Sequence, residues 1–253
     1  MIIEVKDKKE FKTLCQKAWG NNSQLWINNR TLPVRLKRFL LDFFFENDNH
    51  NILDIGCGNG WLLQEILNVK PDIQFKYIGI DINTHFIEHL CQHYNDNRVA
   101  FIIADFEEPL NAVQDNSIDK AIAILSLIEM SNLEMAFRNI FDKLTQGGSC
   151  MIVVLNPYIE LIRLNSSMDD LKNDIDSFRR GNLFYYEKKI ISKEVESEVN
   201  YYGLLHPIER YFSTAKKCGL LINDFKEIDA IDELGAESTI YHFIEFIKPL
   251  VNE

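Results

Sequence analysis

The sequence predicts an α/β fold: a mostly parallel sheet with helices on both faces. Three observations carry this. From Asn51 to about Leu155 short apolar runs alternate with stretches of helical period, which is how a parallel sheet with crossover helices is written. Gly56, Gly58 and Gly60 stand at alternate positions between the first apolar run and the helical stretch after it. Aspartates, Asp81 and Asp105, end the second and third runs. With 253 residues, 46% of them hydrophobic, the chain can bury a core as one domain with an elaboration or as two small ones.

Taken in order, Phe11, Leu14, Cys15 and Ala18 fall at i, i+3, i+4 and i+7 and predict a first helix, which "GNNS" from Gly20 should break. A second helix is expected to start at "TLP", with Thr31 near the cap and Pro33 in the first turn, and to run through Leu36, Phe39, Leu40 and Phe43. The strand candidates are "NILDI", "FKYIGID", "VAFIIAD", "DKAIAIL" and "SCMIVVL". Between the last two, Leu133, Ala136, Phe137, Ile140 and Leu144 make a helical stripe, with Ser131 and Glu134 as a capping box and Gly147 as the stop. From Asn156 to His206 the pattern changes to a polar helical piece, "SSMDDLKNDIDSFRR", and two aromatic strand-like runs, "LFYYEKKII" and "EVNYYGLL". Pro207 then opens a helix that Gly219 closes, and "LLINDFKEI" and "IYHFIEFIK" read as two last strands.

The formal charge of -11 argues against a protein that grips nucleic acid, because neutralising phosphates needs a basic face. "RLKR" at Arg35 to Arg38 reads as a solvated helix face. Five scattered cysteines with no C-x-x-C spacing suit a reduced, cytoplasmic compartment and no structural zinc or other metal. The charged start "MIIEVKDKKE" does not read as a secretory leader, and no apolar run approaches the roughly 18 residues that span a bilayer.

Glycines at i, i+2 and i+4 between a strand and a helix let the backbone turn tightly and let a ligand lie against it, beneath the amides of the helix N-terminus. A dinucleotide-binding G-x-G-x-x-G would need glycine at Trp61, or at Leu63 when counted from Gly58, so the spacing counts against a pyrophosphate. Asp81, about twenty residues on, is placed to accept from both hydroxyls of a ribose. Asp105 and Phe106 could meet the amine and face of an adenine.

On these residues the chain resembles the class I S-adenosylmethionine-dependent methyltransferases of small-molecule type. "LDIGCGNG" is similar to the family's first motif, "IGIDIN" to its second and "ADFEEPL" to its adenine-contacting segment. "SIDKAIAILSLIEM" and "LTQGGSCMIVVLNP" look like its fourth-strand and fifth-strand motifs. The resemblance implies a Rossmann-like seven-stranded sheet and S-adenosyl-L-methionine as cofactor. It places Asp54 and the loop of Gly56, Cys57, Gly58 and Gly60 at the methionine end, Asp81 and Ile82 at the ribose, Asp105 and Phe106 at adenine, and Leu125 on the methyl-bearing side. Thr145-Gln146 before the double glycine and Lys120 depart from the family pattern, away from the cofactor. The implied layout is a helical lid region over residues 1–50, a cofactor-binding domain over 51–156 and 207–253, and a substrate-covering insertion over 157–206.

Other features carry two readings. "NPY" at Asn156 resembles a motif of adenine and glutamine methylation but follows the fifth strand instead of the fourth, and is read as a turn. His85, His89 and His93 form a helical stripe, read as an exposed polar face and not a metal site. Tyr185, Tyr186 and Tyr202 either fill a pleated face or cover a substrate, with Trp19 and Trp26 as partners in the lid. His206 is a candidate base or a helix-capping imidazole; Glu129 is a second candidate or a solvated loop residue. The expected reaction is in-line methyl transfer to oxygen or nitrogen of a small molecule. Rival readings are aminopropyl transfer, which lacks its acidic motif where this chain has "LSLIEM", and a non-catalytic binding protein, which usually has broken glycines or a lost ribose acid.

Overall fold

A computed structural model describes residues 2–28, 34–45, 50–71, 74–164, 168–180, 184–192, 197–230 and 239–250. The chain runs β1 (Ile2–Glu4), α1 (Lys8–Asn28), α2 (Val34–Phe45), β2 (His50–Ile55), α3 (Trp61–Val69), β3 (Phe75–Asp81), α4 (Thr84–His93), β4 (Val99–Ile103) and β5 (Ile118–Ile124). A 3-10 turn (Leu127–Glu129) leads to α5 (Leu133–Lys143), β6 (Leu144–Leu155), α6 (Pro157–Leu164), α7 (Met168–Arg179), β7 (Phe184–Ser192), β8 (Ser197–Leu205), α8 (Ile208–Lys217), β9 (Leu221–Ala230) and β10 (Thr239–Ile247).

Seven strands form one sheet in the order β4-β3-β2-β5-β6-β10-β9. β2 to β6 pair in parallel, and β10 runs antiparallel to both β6 and β9. Because successive strand residues point to opposite faces, each strand feeds two cores. Ile52, Ile122, Val153 and Phe243 pack under α2 and α3 with Leu36, Leu40, Phe44 and Leu63. Leu53, Ala121, Ala123, Ile152, Val154 and Ile244 pack under α5 and α8 with Phe137, Ile140 and Tyr211. Burial on both faces explains why these strands read as continuous apolar runs without alternation.

The second sheet, β1-β7-β8, is antiparallel and joins the two ends of the sequence pattern that the core leaves over. Its alternation feeds two separate clusters. Phe184, Tyr186 and Leu205 face α6 and α7 through Leu161 and Phe178, whereas Tyr185, Tyr202 and Leu204 face α1 through Phe11 and Cys15.

Several local expectations are corrected. α1 continues through Gly20, since one glycine costs a helix only about 1 kcal/mol, and Trp19 on Glu129 before it and the buried Ser23, whose hydroxyl donates to the Gly20 carbonyl at 3.2 Å, after it hold the helix. Asn132, not Ser131, caps α5 by accepting from the Met135 N–H at 3.3 Å, because the Ser131 hydroxyl is committed to Glu107. Gly147 lies inside β6, and the helix ends earlier at Lys143. "NPY" is a helix start: Asn156 Oδ1 accepts from the Tyr158 and Ile159 N–H groups, and Pro157 takes the first position of α6, where its missing N–H costs nothing. β1 is too short to show a period. The Thr31 and Pro33 cap falls outside the described residues.

Gly60 sits at φ +73°, and a Cβ there would lie 2.4 Å from Leu90 Cδ2. Gly60→Ala therefore combines left-handed backbone strain with displacement of a buried leucine, and should destabilise the fold by about 2–4 kcal/mol, read from the denaturation midpoint. A loss below about 0.5 kcal/mol would show that the loop relaxes freely.

Candidate active site

Strand order reverses between β2 and β5, and in open α/β sheets a crevice opens at the carboxyl ends of such strands. Into it project the glycine loop after β2 and the 3-10 turn after β5. The loop is held from below. Gly56 and Cys57 N–H groups both donate to the Ile80 carbonyl at 2.7 and 2.9 Å, and the Gly60 N–H donates to the Cys57 carbonyl at 3.0 Å. Gly58, at φ +51°, donates to Asp81 Oδ2 at 2.9 Å, and a Cβ there would meet nothing within 4 Å. The loop is thus open on the side of Gly58. Leu125, just after β5, stands at φ +57°, a conformation that costs a non-glycine residue about 1–3 kcal/mol and gathers at functional sites.

Acids line this edge. Asp54 is 3% exposed and accepts from the Tyr77 hydroxyl at 2.5 Å. Burial pushes its carboxyl up to about 7 against the lowering effect of that bond, with the Asp81 charge adding to the rise. Asp81 is raised by burial too, offset by N–H bonds from Asn83, Gly58 and Ile82. It does not cap α4. Asn83 does so, accepting from the His85 N–H, and leaves its buried Nδ2 without a partner among the described residues. Ile82 is 37% exposed beside Asp81. Asp105 Oδ1 accepts from the Glu107 N–H at 3.0 Å, and Oδ2 pairs with Lys12. The Phe106 ring is 4% exposed and belongs to the core, so it does not face the crevice edge as the sequence reading expected of an adenine platform.

α1 forms the roof. Lys8, Lys12, Cys15 and Trp19, spaced i, i+4, i+7 and i+11, put one stripe over the acids. Lys8 donates to the Ser131 carbonyl at 3.2 Å, Lys12 bridges Asp105 and Glu107, and the Trp19 indole N–H donates to Glu129 Oε2 at 2.6 Å. Burial, with the charges of Glu129 and Glu107, pushes the Cys15 thiol up. Trp19 also meets Phe86 edge-on. The Trp26 side chain lies outside the described residues.

The structure separates the other residues singled out from sequence. Tyr185 and Tyr202 stand on the face of the small sheet that meets α1, and the Tyr202 hydroxyl donates to Glu187. Tyr186 faces the opposite way, 1% exposed among α6 and α7 residues. His206 is 1% exposed; its Nε2 donates to the Met130 carbonyl at 2.9 Å, and burial drops its pKa to about 3. It braces the end of β8 against the turn that carries Glu129. Lys12, Cys15 and Glu107 were missed. Their helical spacing was visible for the first two, but nothing local says on which acids α1 lands.

A family model described as a methyltransferase domain matches residues 46–203. The juvenile hormone acid O-methyltransferase of Bombyx mori is 23% identical over 70% of this chain and 66% of its own length. The enzyme of the same name from Drosophila melanogaster is 26% identical over 62% of this chain and 58% of its own. The chain thus matches no more than about two thirds of either relative. Among solved structures, the CcbJ methyltransferase of Streptomyces caelestis superposes with a TM-score of 0.65 at 12% identity, covering 92% of this chain and 98% of that one. No helix among the described residues is long and apolar enough to cross a membrane.

The cofactor of this family is S-adenosylmethionine, and the crevice fits it. Open space over Gly58, a buried Asn83 amide lacking a partner and an exposed Ile82 beside a carboxylate are the features a nucleoside would complete.

Folded Asp54 keeps its proton to about pH 7, whereas the unfolded chain loses it near the ordinary value of 3.8. Between those limits the folded state binds more protons, so this residue makes stability fall as pH rises, by at most about 1.4 kcal/mol per pH unit, and adds no slope above them. Asp54→Asn should flatten that slope in denaturation midpoints measured from pH 4.5 to 8. An identical slope in both proteins would mean that Asp54 ionises normally. The glycine loop, the acid at the end of β3, the sheet order and the match over residues 46–203 converge, and the chain belongs to the methyltransferase-domain family of S-adenosylmethionine-dependent enzymes.

Proposed function

We propose that the chain moves the methyl group of S-adenosylmethionine onto an oxygen or nitrogen of a small molecule enclosed beneath α1 and β8. The observation that carries this reading is the Asp81 carboxylate, tied to Gly58 at 2.9 Å directly under the open side of the loop. Asp81 accepts from the ribose hydroxyls, Ile82 supports the adenine, Asp105 takes its amine, and Asp54 with the loop of Gly56, Cys57, Gly58 and Gly60 holds the methionine end. Leu125 lines the side from which the methyl group leaves.

Bound cofactor supplies an electrophilic methyl carbon on a good leaving group. The protein's task is then to orient the acceptor and keep water out. Trp19, Tyr185 and Tyr202 supply apolar walls, and the α1 roof excludes solvent. Glu129, held at 2.6 Å by Trp19, is the group positioned to take a proton from a hydroxyl or ammonium acceptor. His206 holds the turn of Glu129 and stays neutral at working pH. The two relatives named as O-methyltransferases favour oxygen.

The test uses isotopically labelled S-adenosylmethionine with separate pools of carboxylic acids, phenols, amines and tRNA, reading label transfer and S-adenosylhomocysteine formed. Transfer to tRNA alone would sink the small-molecule reading. In the same preparation, Asp81→Asn should weaken S-adenosylhomocysteine binding by roughly tenfold to a few hundredfold, the loss of charge-assisted hydrogen bonds worth about 1.5–3 kcal/mol each. An affinity within threefold of wild type would remove Asp81 from the ribose.

A further inference from the structure

α1 lies over the crevice and is fastened in part by Lys12, to which the transfer reaction gives no role. The Lys12 ammonium pairs with Asp105 Oδ2 and sits 3.2 Å from Glu107 Oε2. The two carboxylates differ in how they are held. Glu107 is 8% exposed, and its Oε1 accepts from the Ser131 hydroxyl at 3.0 Å and the Asn132 N–H at 2.6 Å, so it is a fixed post at the start of α5. Asp105 is 26% exposed at the crevice edge, and the oxygen that Lys12 takes is not the one bound by the Glu107 N–H.

We propose that Lys12 is a latch that competes with the cofactor for Asp105. In the ligand-free chain the ammonium occupies the carboxylate and holds α1 shut. Cofactor entry displaces Lys12 from Asp105 onto Glu107 alone, and α1 reseats over the bound ligand. This rests on the reading of Asp105 as the adenine acid. Two features of the stripe make the exchange workable. Lys12 has a second carboxylate to keep, so releasing the first does not strand a charge. Lys8 on the Ser131 carbonyl and Trp19 on Glu129 anchor α1 on either side without using Asp105. Cys15, between Lys12 and Trp19 and 6% exposed, is covered only while α1 is down, which makes its thiol a reporter of opening.

The experiment uses the full chain and S-adenosylhomocysteine, whose net charge is near zero, so added salt acts mainly on the latch. By calorimetry, Lys12→Met should bind roughly three- to tenfold tighter than wild type, the scale of a partly exposed ion pair with two partners. Lys12→Arg should resemble wild type. Raising salt should tighten wild type and leave Lys12→Met unchanged. Maleimide labelling read by peptide mass spectrometry should modify Cys15 several-fold faster in ligand-free Lys12→Met, with the buried strand residue Cys150 still protected, which separates opening from unfolding. Weaker or equal binding by Lys12→Met, or unchanged Cys15 labelling, would overturn the latch. Asp105→Asn made in the Lys12→Met background distinguishes the two ideas: if it leaves affinity unaltered, both the adenine reading and the latch fall, whereas at least tenfold weakening without a gain in Lys12→Met itself removes the latch alone.

Discussion

The Asp81 carboxylate joins two backbone segments that the chain separates by more than twenty residues: one oxygen accepts from Gly58 and the other from Asn83. This one bridge sets the height of the glycine loop over the end of β3 and presents the start of α4, and the crevice has its shape because of it. The end of β3 thus satisfies most of the loop: the Gly56 and Cys57 N–H groups donate to the Ile80 carbonyl and the Gly58 N–H to Asp81, while the Gly60 N–H donates to the Cys57 carbonyl.

That arrangement concentrates negative charge. Asp54, Asp81, Asp105, Glu107 and Glu129 all lie along the carboxyl edge of the sheet, and ionised carboxylates gathered in a half-buried place are costly unless paired or hydrogen-bonded. The chain offsets each in a different way: a tyrosine hydroxyl and a raised pKa for Asp54, backbone N–H groups for Asp81, a lysine for Asp105 and Glu107, an indole for Glu129. Two of these offsets come from α1. The roof is therefore part of the electrostatics of the floor, and opening it changes the charge balance of the site as well as its access to water.

The small sheet divides labour through strand alternation. One face of β7 and β8 makes an ordinary core with α6 and α7, while the other meets α1, so a single hairpin both stabilises the insertion and lines the roof. Gly203 shows how tightly the first face is filled: a Cβ there would lie 2.6 Å from the Tyr186 hydroxyl.

The central sheet is legible from local pattern, because strands buried on both faces must be apolar throughout and helices between them must carry a stripe; both patterns are local and periodic. "LDIGCGNG" and Asp81 were legible for the same reason, since a tight turn and a strand-terminal acid are defined by neighbours in the chain. Asn156-Pro157 starts a helix by local chemistry too, since the asparagine accepts from the first-turn N–H groups and proline suits the first helical position. What tertiary structure alone decided was which side chains meet across the fold. Phe106 stands beside Asp105 in sequence yet packs into the core. His206 looked available yet was buried with its nitrogen on the Met130 carbonyl. Nothing local marks Lys12, which meets Asp105 and Glu107 only because α1 packs on β8 and α4. Such pairings span about ninety residues or more between α1 and the acids it covers, and they follow from how α1 docks, which no helical period encodes.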